Sequence, residues 1–451
     1  MAGQQAPLFR PGFRRRIWGL ASLAGLLACL AGVAVWQWRW QNRPSVLRLP
    51  ADSPPPAVSS DPRLTVDTVY RNVRPDVRYV GDQTCAHCHA KITRTYHQHP
   101  MGRSLVPVAG RGPGQPDAAI PDAEFQARGF HYQVKPQGNR TVHREMKLDP
   151  QGHVIAKTEA EVAFAVGSST RGRSFLIDHN GYLFQSPITW YPQKGGWDLS
   201  PGYASRHHHF ARPVTPECLF CHSNRAEHEG GTINHYRPPI FQGYAIGCER
   251  CHGPGELHVR RHEQGEASTG PDTTIVNPQN LEPALRDAVC EQCHLQGEIR
   301  VPGRGRSSFD YRPGLPLHQF MTVFVSAANS AEASKFVGQV EQMHASRCWN
   351  ASGGRMGCVS CHDPHQMPAA AERVGFYRDH CLSCHEPNSC TLPAGQRSRV
   401  SAQDSCIDCH MPAAKSDIPH ASTTDHRIPR RVDHARSEDR NARPAFSRET
   451  S

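Results

Sequence analysis

The chain has 451 residues, a formal charge of +10, 38 Pro and 37 Gly, and only 37% of its residues are apolar. That length holds two or three ordinary domains, but the composition excludes a large core built from side chains alone and implies much irregular backbone. Read by itself, the basic balance suits nucleic acid or an acidic partner; the cysteine pattern gives those charges another use.

Residues 1–40 begin with Arg10, Arg14, Arg15 and Arg16. Ile17 to Trp36 is then an uncharged run, followed by Trp38, Arg39, Trp40 and Arg43. Such a run is long enough to span a bilayer as a helix, and arginines ahead of it leave the remainder outside. A signal-anchor is therefore expected, which places the protein on the outer, periplasmic face of the cytoplasmic membrane with the membrane as a partner. A cleaved signal peptide and a lipoprotein box at Leu26-Leu27-Ala28-Cys29 are the alternatives, and all three imply export. Residues 41–78, with Pro54-Pro55-Pro56, predict a semi-extended linker.

A motif of two cysteines three apart followed by histidine then starts at Cys85, Cys88 and His89. It is expected on a short helix that runs on toward His97, His99 and Met101. Residues 105–200 lack the motif. Alternating stretches such as Phe130–Val134, Ser174–Ile177 and Tyr182–Gln185, with turn residues at Asp178-His179-Asn180-Gly181, predict a β-rich insert of about five strands. The aromatic run from Trp190 to Trp197 is expected to close that insert against the rest.

From residue 218 the motif recurs six times: Cys218/Cys221/His222, Cys248/Cys251/His252, Cys290/Cys293/His294, Cys358/Cys361/His362, Cys381/Cys384/His385 and Cys406/Cys409/His410. Structural zinc and disulfides also use paired cysteines, but neither explains a histidine directly after every pair. C-x-x-C-H is the attachment signature of c-type haem. One helical turn presents both sulfurs to the porphyrin, and the histidine becomes the proximal iron ligand. Seven covalent haems are expected, and their apolar plates become part of the core. The irregular spacing excludes a solenoid and forces the cofactors together. The fold class read from this is mainly α with much irregular loop, clustered about haem. Haem propionates give the arginines a partner, so no nucleic-acid partner is expected. Residues 429–451, rich in arginine, read as a disordered tail.

Gly247-Cys248-Glu249-Arg250-Cys251-His252-Gly253-Pro254-Gly255-Glu256-Leu257-His258 resembles bacterial multihaem cytochromes of the cytochrome c-554 type. So do Cys358-Val359-Ser360-Cys361-His362-Asp363-Pro364-His365, Asp417–His420 and Asp425–Ile428. The resemblance covers roughly residues 79–428. It implies closely packed haems, mostly bis-histidine iron, and electron transfer between a redox donor and acceptor. It also implies that His258, His365, His420 and His426 ligate neighbouring haems. His344 and one of His207, His208 and His209 are further candidates, with His208 taken as the representative. His143 and His318 are weaker ones. For the first haem the resemblance points near Met101, with His99 beside it. The rival reading is a multihaem oxidoreductase acting on a small nitrogen or sulfur compound at one five-coordinate haem; no C-x-x-C-K variant motif marks such a haem. Cys29, Cys348 and Cys390 are left over, and a Cys348–Cys390 disulfide is expected.

Overall fold

The computed structural model describes residues 60–108, 122–266, 270–325, 337–387 and 389–429. The expected anchor at Ile17–Trp36 and the tail from residue 430 lie outside the described residues.

Residues 105–213 fold as a β-sandwich. Its strands are β1 (Leu105–Pro107), β2 (Ala123–Ala127), β3 (Phe130–Gln137), β4 (Arg140–Leu148), β5 (Val154–Glu161), β6 (Phe164–Val166), β7 (Arg173–His179), β8 (Tyr182–Tyr191), β9 (Gly196–Leu199) and β10 (Arg212–Pro213). One antiparallel sheet runs β2-β3-β4-β5. The other runs β1-β6-β7-β8-β10, with β9 added to β8. Alternation puts Tyr132 and Val134 of one sheet against Phe175, Ile177, Ile188, Trp197 and Leu199 of the other, so two half-polar sheets share one apolar layer. The β7–β8 hairpin turns at Asn180 (φ 52°) and Gly181 (φ 87°), the two left-handed residues that a tight hairpin requires. A Cβ on Gly181 would lie 2.6 Å from Tyr236 O.

His143 sits wholly inside this sandwich, edge-on to Phe175 and Trp197, with Nδ1 2.7 Å from Ser186 Oγ. Burial holds its pKa down to about 3. The unfolded imidazole titrates near 6.5, so between these values the folded state binds fewer protons than the unfolded one. Stability is therefore complete above about pH 6.5 and falls by about 1.4 kcal/mol per pH unit below it. A His143→Leu variant should lose that slope in unfolding midpoints measured from pH 7 to 4.

A second core joins the remaining segments. It gathers Val73, Leu176, Leu183, Leu219, Phe220, Tyr236, Val276, Tyr311, Leu315 and Phe320, with Cys221 and Cys251 packed against it. Val73 is fully buried, so part of the expected linker is bound into the fold. Three two-stranded antiparallel sheets complete it: β11 (Ala226–His228) with β12 (Tyr236–Phe241), β13 (Ile299–Pro302) with β14 (Met321–Phe324), and β15 (Ala413–Lys415) with β16 (Ser422–Thr424).

These sheets overturn the mainly α expectation. Among the described residues only Asp82–Tyr96, Pro283–His294 and Arg373–Leu382 make helices of ten residues or more. The attachment motif needs a single turn, so seven motifs do not require long helices, whereas the sandwich brings long strands. The aromatic run also differs from expectation. Trp190 pairs with Trp197 and Trp197 faces the sandwich core; only Tyr191 reaches toward the other segments, edge-on to His420. Among the described residues no helix is long and apolar enough to cross a membrane. The assignment to the cytoplasmic membrane accordingly has no support in the described residues and is withdrawn. Cys348 and Cys390 are free thiols, not the expected disulfide.

Candidate haem-binding site

The motifs share one local geometry. In the third, fifth and sixth, the histidine amide donates to the carbonyl of the first cysteine at 3.0 Å (His252 to Cys248, His362 to Cys358, His385 to Cys381). That single turn sets both sulfurs and the imidazole side by side. Cys85, Cys88 and His89 lie on helix Asp82–Tyr96, which departs from helical angles at His89. Cys218, Cys221 and His222 lie on Pro216–His222, and Cys248 opens Glu249–His252. Cys290, Cys293 and His294 end Pro283–His294. Cys358 opens the turn Cys358–Ser360, and Cys381 lies in Arg373–Leu382. Cys406, Cys409 and His410 form Cys406–His410.

Tertiary packing then brings distant imidazoles face to face. His89 and His258 have ring centres 6.3 Å apart with planes 17° from parallel. His252 and His365 stand 5.9 Å apart at 12°, and His362 and His426 6.2 Å apart at 32°. Two metal–imidazole bonds of about 2 Å, with about 1 Å from nitrogen to ring centre on each side, put coaxial imidazole centres about 6 Å apart. All three gaps match one iron held between two rings.

The far ring nitrogens fit as well. Nδ1 of His252 lies 2.8 Å from Val276 O, that of His258 2.8 Å from Asp272 Oδ2, that of His426 2.8 Å from Thr424 O, and that of His410 2.9 Å from Pro429 O. Oxygens of this kind only accept, so Nδ1 carries the proton and Nε2 keeps its lone pair for iron. Desolvation lowers the pKa of His222, His252, His294, His362 and His426, which favours the neutral form a ligand needs. These residues fit c-type haem.

Other candidates point elsewhere. His99 is buried, and its Nδ1 accepts the Met101 amide at 3.2 Å, so neither it nor Met101 stands opposite His89. His420 gives its Nε2 to Asp198 Oδ2 at 2.8 Å. His344 stacks on Trp349 at 4.4 Å, and His318 is exposed. His208 meets the edge of Tyr203, while His207 and His209 pair with Glu145 of β4. Among the described residues no ring contact sets an imidazole opposite His222, His294, His385 or His410.

Sulfurs of different motifs also touch. Side-chain contacts join Cys85 to Cys248, Cys221 to Cys293, Cys290 to Cys358 and Cys381 to Cys406. Cys251 acts electrostatically on Cys290, and Cys384 on Cys361. Arg250, between the two cysteines of the third motif, ties three motifs together. It donates to Asn224 O, Phe220 O and Gln292 Oε1 at 2.9–3.1 Å and stacks on Phe220 and Phe309. Gly253 turns the chain directly after His252 at φ 73°, where a Cβ would lie 2.7 Å from Asn72 Nδ2. Sequence reasoning missed Asp272, Val276 and the sulfur contacts, because nothing local marks a residue that meets a motif only through the fold.

Residues 203–253 match the family model for cytochrome c554 and c-prime. This stretch holds two of the attachment motifs, those of Cys218 and Cys248. The chain is a multihaem c-type cytochrome with covalently bound haem c, a class that points to electron transfer between redox partners. No curated protein sequence matches it. Among solved structures, the outer cell wall cytochrome OcwA is similar at 16% identity and a TM-score of 0.46, over 81% of this chain and 82% of that one; no conclusion rests on a likeness of this size.

Proposed function

We propose that the chain is a heptahaem electron relay that takes electrons from one redox protein and delivers them to another. The contact path among motif sulfurs carries this reading. It runs first to third, third to fourth, fourth to fifth, fifth to sixth and sixth to seventh, with the second on the fourth. Each attached haem then has another close by, and a relay asks nothing more of the protein than short gaps and saturated iron.

In this reading the fourteen motif cysteines hold the haems, and His89, His222, His252, His294, His362, His385 and His410 are proximal ligands. His258, His365 and His426 close the first, third and fifth irons. When bound, haem supplies the one-electron couple. The residues orient it, fix each imidazole tautomer through the Nδ1 partner, and set the donor strength of Nε2. An enzyme would instead keep one position open with a pocket steering substrate and protons.

Low-temperature ferric resonance on the full-length haem-loaded protein, together with pyridine haemochrome counting, tests the proposal. Seven low-spin haems and no turnover of nitrite, hydroxylamine or sulfite are expected. One stoichiometric high-spin haem that binds cyanide, with turnover of any of the three, would replace the relay by an oxidoreductase.

A further inference from the structure

The three facing imidazole pairs differ in what holds the far ring nitrogen. His252 gives its Nδ1 proton to the Val276 carbonyl and His426 to the Thr424 carbonyl, both neutral acceptors. His258 gives its proton to a carboxylate, Asp272 Oδ2, at 2.8 Å. The other acid near a distal candidate, Asp363, stands 3.6 Å from His365 Nδ1, beyond hydrogen-bond reach.

Asp272 is held in place on its other side. Its Oδ1 accepts the Thr274 amide at 2.8 Å, the Thr274 hydroxyl, and Arg261 Nη1 at 3.0 Å. His262 Nε2 lies 3.7 Å from Oδ2. The carboxylate therefore has one orientation toward His258, and a counter-cation that moderates its charge.

A hydrogen bond to an ionised acceptor is roughly twice as strong as one to a neutral carbonyl. It pulls the Nδ1 proton outward and makes Nε2 a better donor. A better axial donor stabilises ferric over ferrous iron, so second-shell hydrogen bonding is a lever on haem potential. We infer that Asp272 is a positioning residue that makes the haem of Cys85 and Cys88 the lowest in potential of the three paired haems, with Arg261 limiting the effect. The inference rests on the axial pairing proposed above. The first motif also stands at one end of the sulfur path. A low-potential haem at an end admits an electron from a strongly reducing donor and passes it downhill to the third motif.

The test is a redox titration of the full-length haem-loaded protein, followed by visible absorbance, on two variants. Asp272→Asn keeps the shape and the acceptor but removes the charge. One haem's share of the amplitude should move to higher potential by about tenfold in its oxidised-to-reduced ratio, about 59 mV for a one-electron couple. Arg261→Gln should move the same share downward. Superimposable titrations of Asp272→Asn and the parent would overturn the inference, and so would a shift of both variants in one direction. Ferric resonance accompanies each titration. Loss of a low-spin haem in Asp272→Asn would mean that the carboxylate only holds His258, and that too overturns tuning. High-spin iron with turnover in the parent protein would end the relay reading and leave the Asp272→Asn shift as it stands.

Discussion

Truncating Arg250 to alanine is expected to cost the folded protein about 3–5 kcal/mol, because it leaves three acceptors without their donor inside the fold. Those acceptors belong to different motifs: Phe220 lies within the second, Asn224 just after it, and Gln292 within the fourth. Arg250 itself is buried and sandwiched between Phe220 and Phe309. Lysine would not restore the contacts, since a point charge with rotating donors cannot replace a planar fork reaching three oxygens at once. Chemical unfolding of the haem-loaded protein, followed by haem absorbance, measures the loss. A midpoint change worth less than about 1 kcal/mol would mean that the motifs are held together without this guanidinium.

Replacing His365 by alanine should convert one low-spin ferric haem to high-spin and open it to cyanide. His365 faces His252 with ring centres 5.9 Å apart and nearly parallel planes, and no other described ring contact offers His252 an imidazole. The cysteines of that motif are untouched, so the haem count by mass should not change. The expected readout is one haem's share of the ferric resonance moving to the high-spin region, with the remainder unaltered. A fully low-spin spectrum would show that another side chain ligates that iron. Loss of a haem would show that His365 is needed before attachment and that the axial role is secondary.

Much of the candidate site was legible because its chemistry is local. Cys248 and His252 are fixed by one turn of backbone, and so are Cys381 and His385. A residue order that places two sulfurs and an imidazole on one turn declares the cofactor whatever surrounds it. The hairpin at Asn180-Gly181 was legible for the same reason, since two left-handed residues in succession specify the turn. The mainly α reading failed because it took the motif as a measure of the fold. Seven motifs use few residues, and the two sheets meeting at Tyr132, Phe175 and Trp197 bring most of the long regular structure.

What the sequence determined by itself was the covalent chemistry: where haem attaches, which histidine adjoins each pair, and that distant histidines exist to complete the iron. Only the tertiary structure decided which meets which. His258 stands opposite His89 rather than beside its own motif, His365 opposite His252, and His426 opposite His362, while His420 turns away to Asp198. Tertiary structure likewise placed Asp272 behind His258 and set Cys85 against Cys248. The physical reason is one of range. Attachment is written into bonds and turns a few residues long, whereas ligand pairing, second-shell charge and the order of the haems depend on chain segments tens to hundreds of residues apart, whose meeting is set by the burial of two apolar cores.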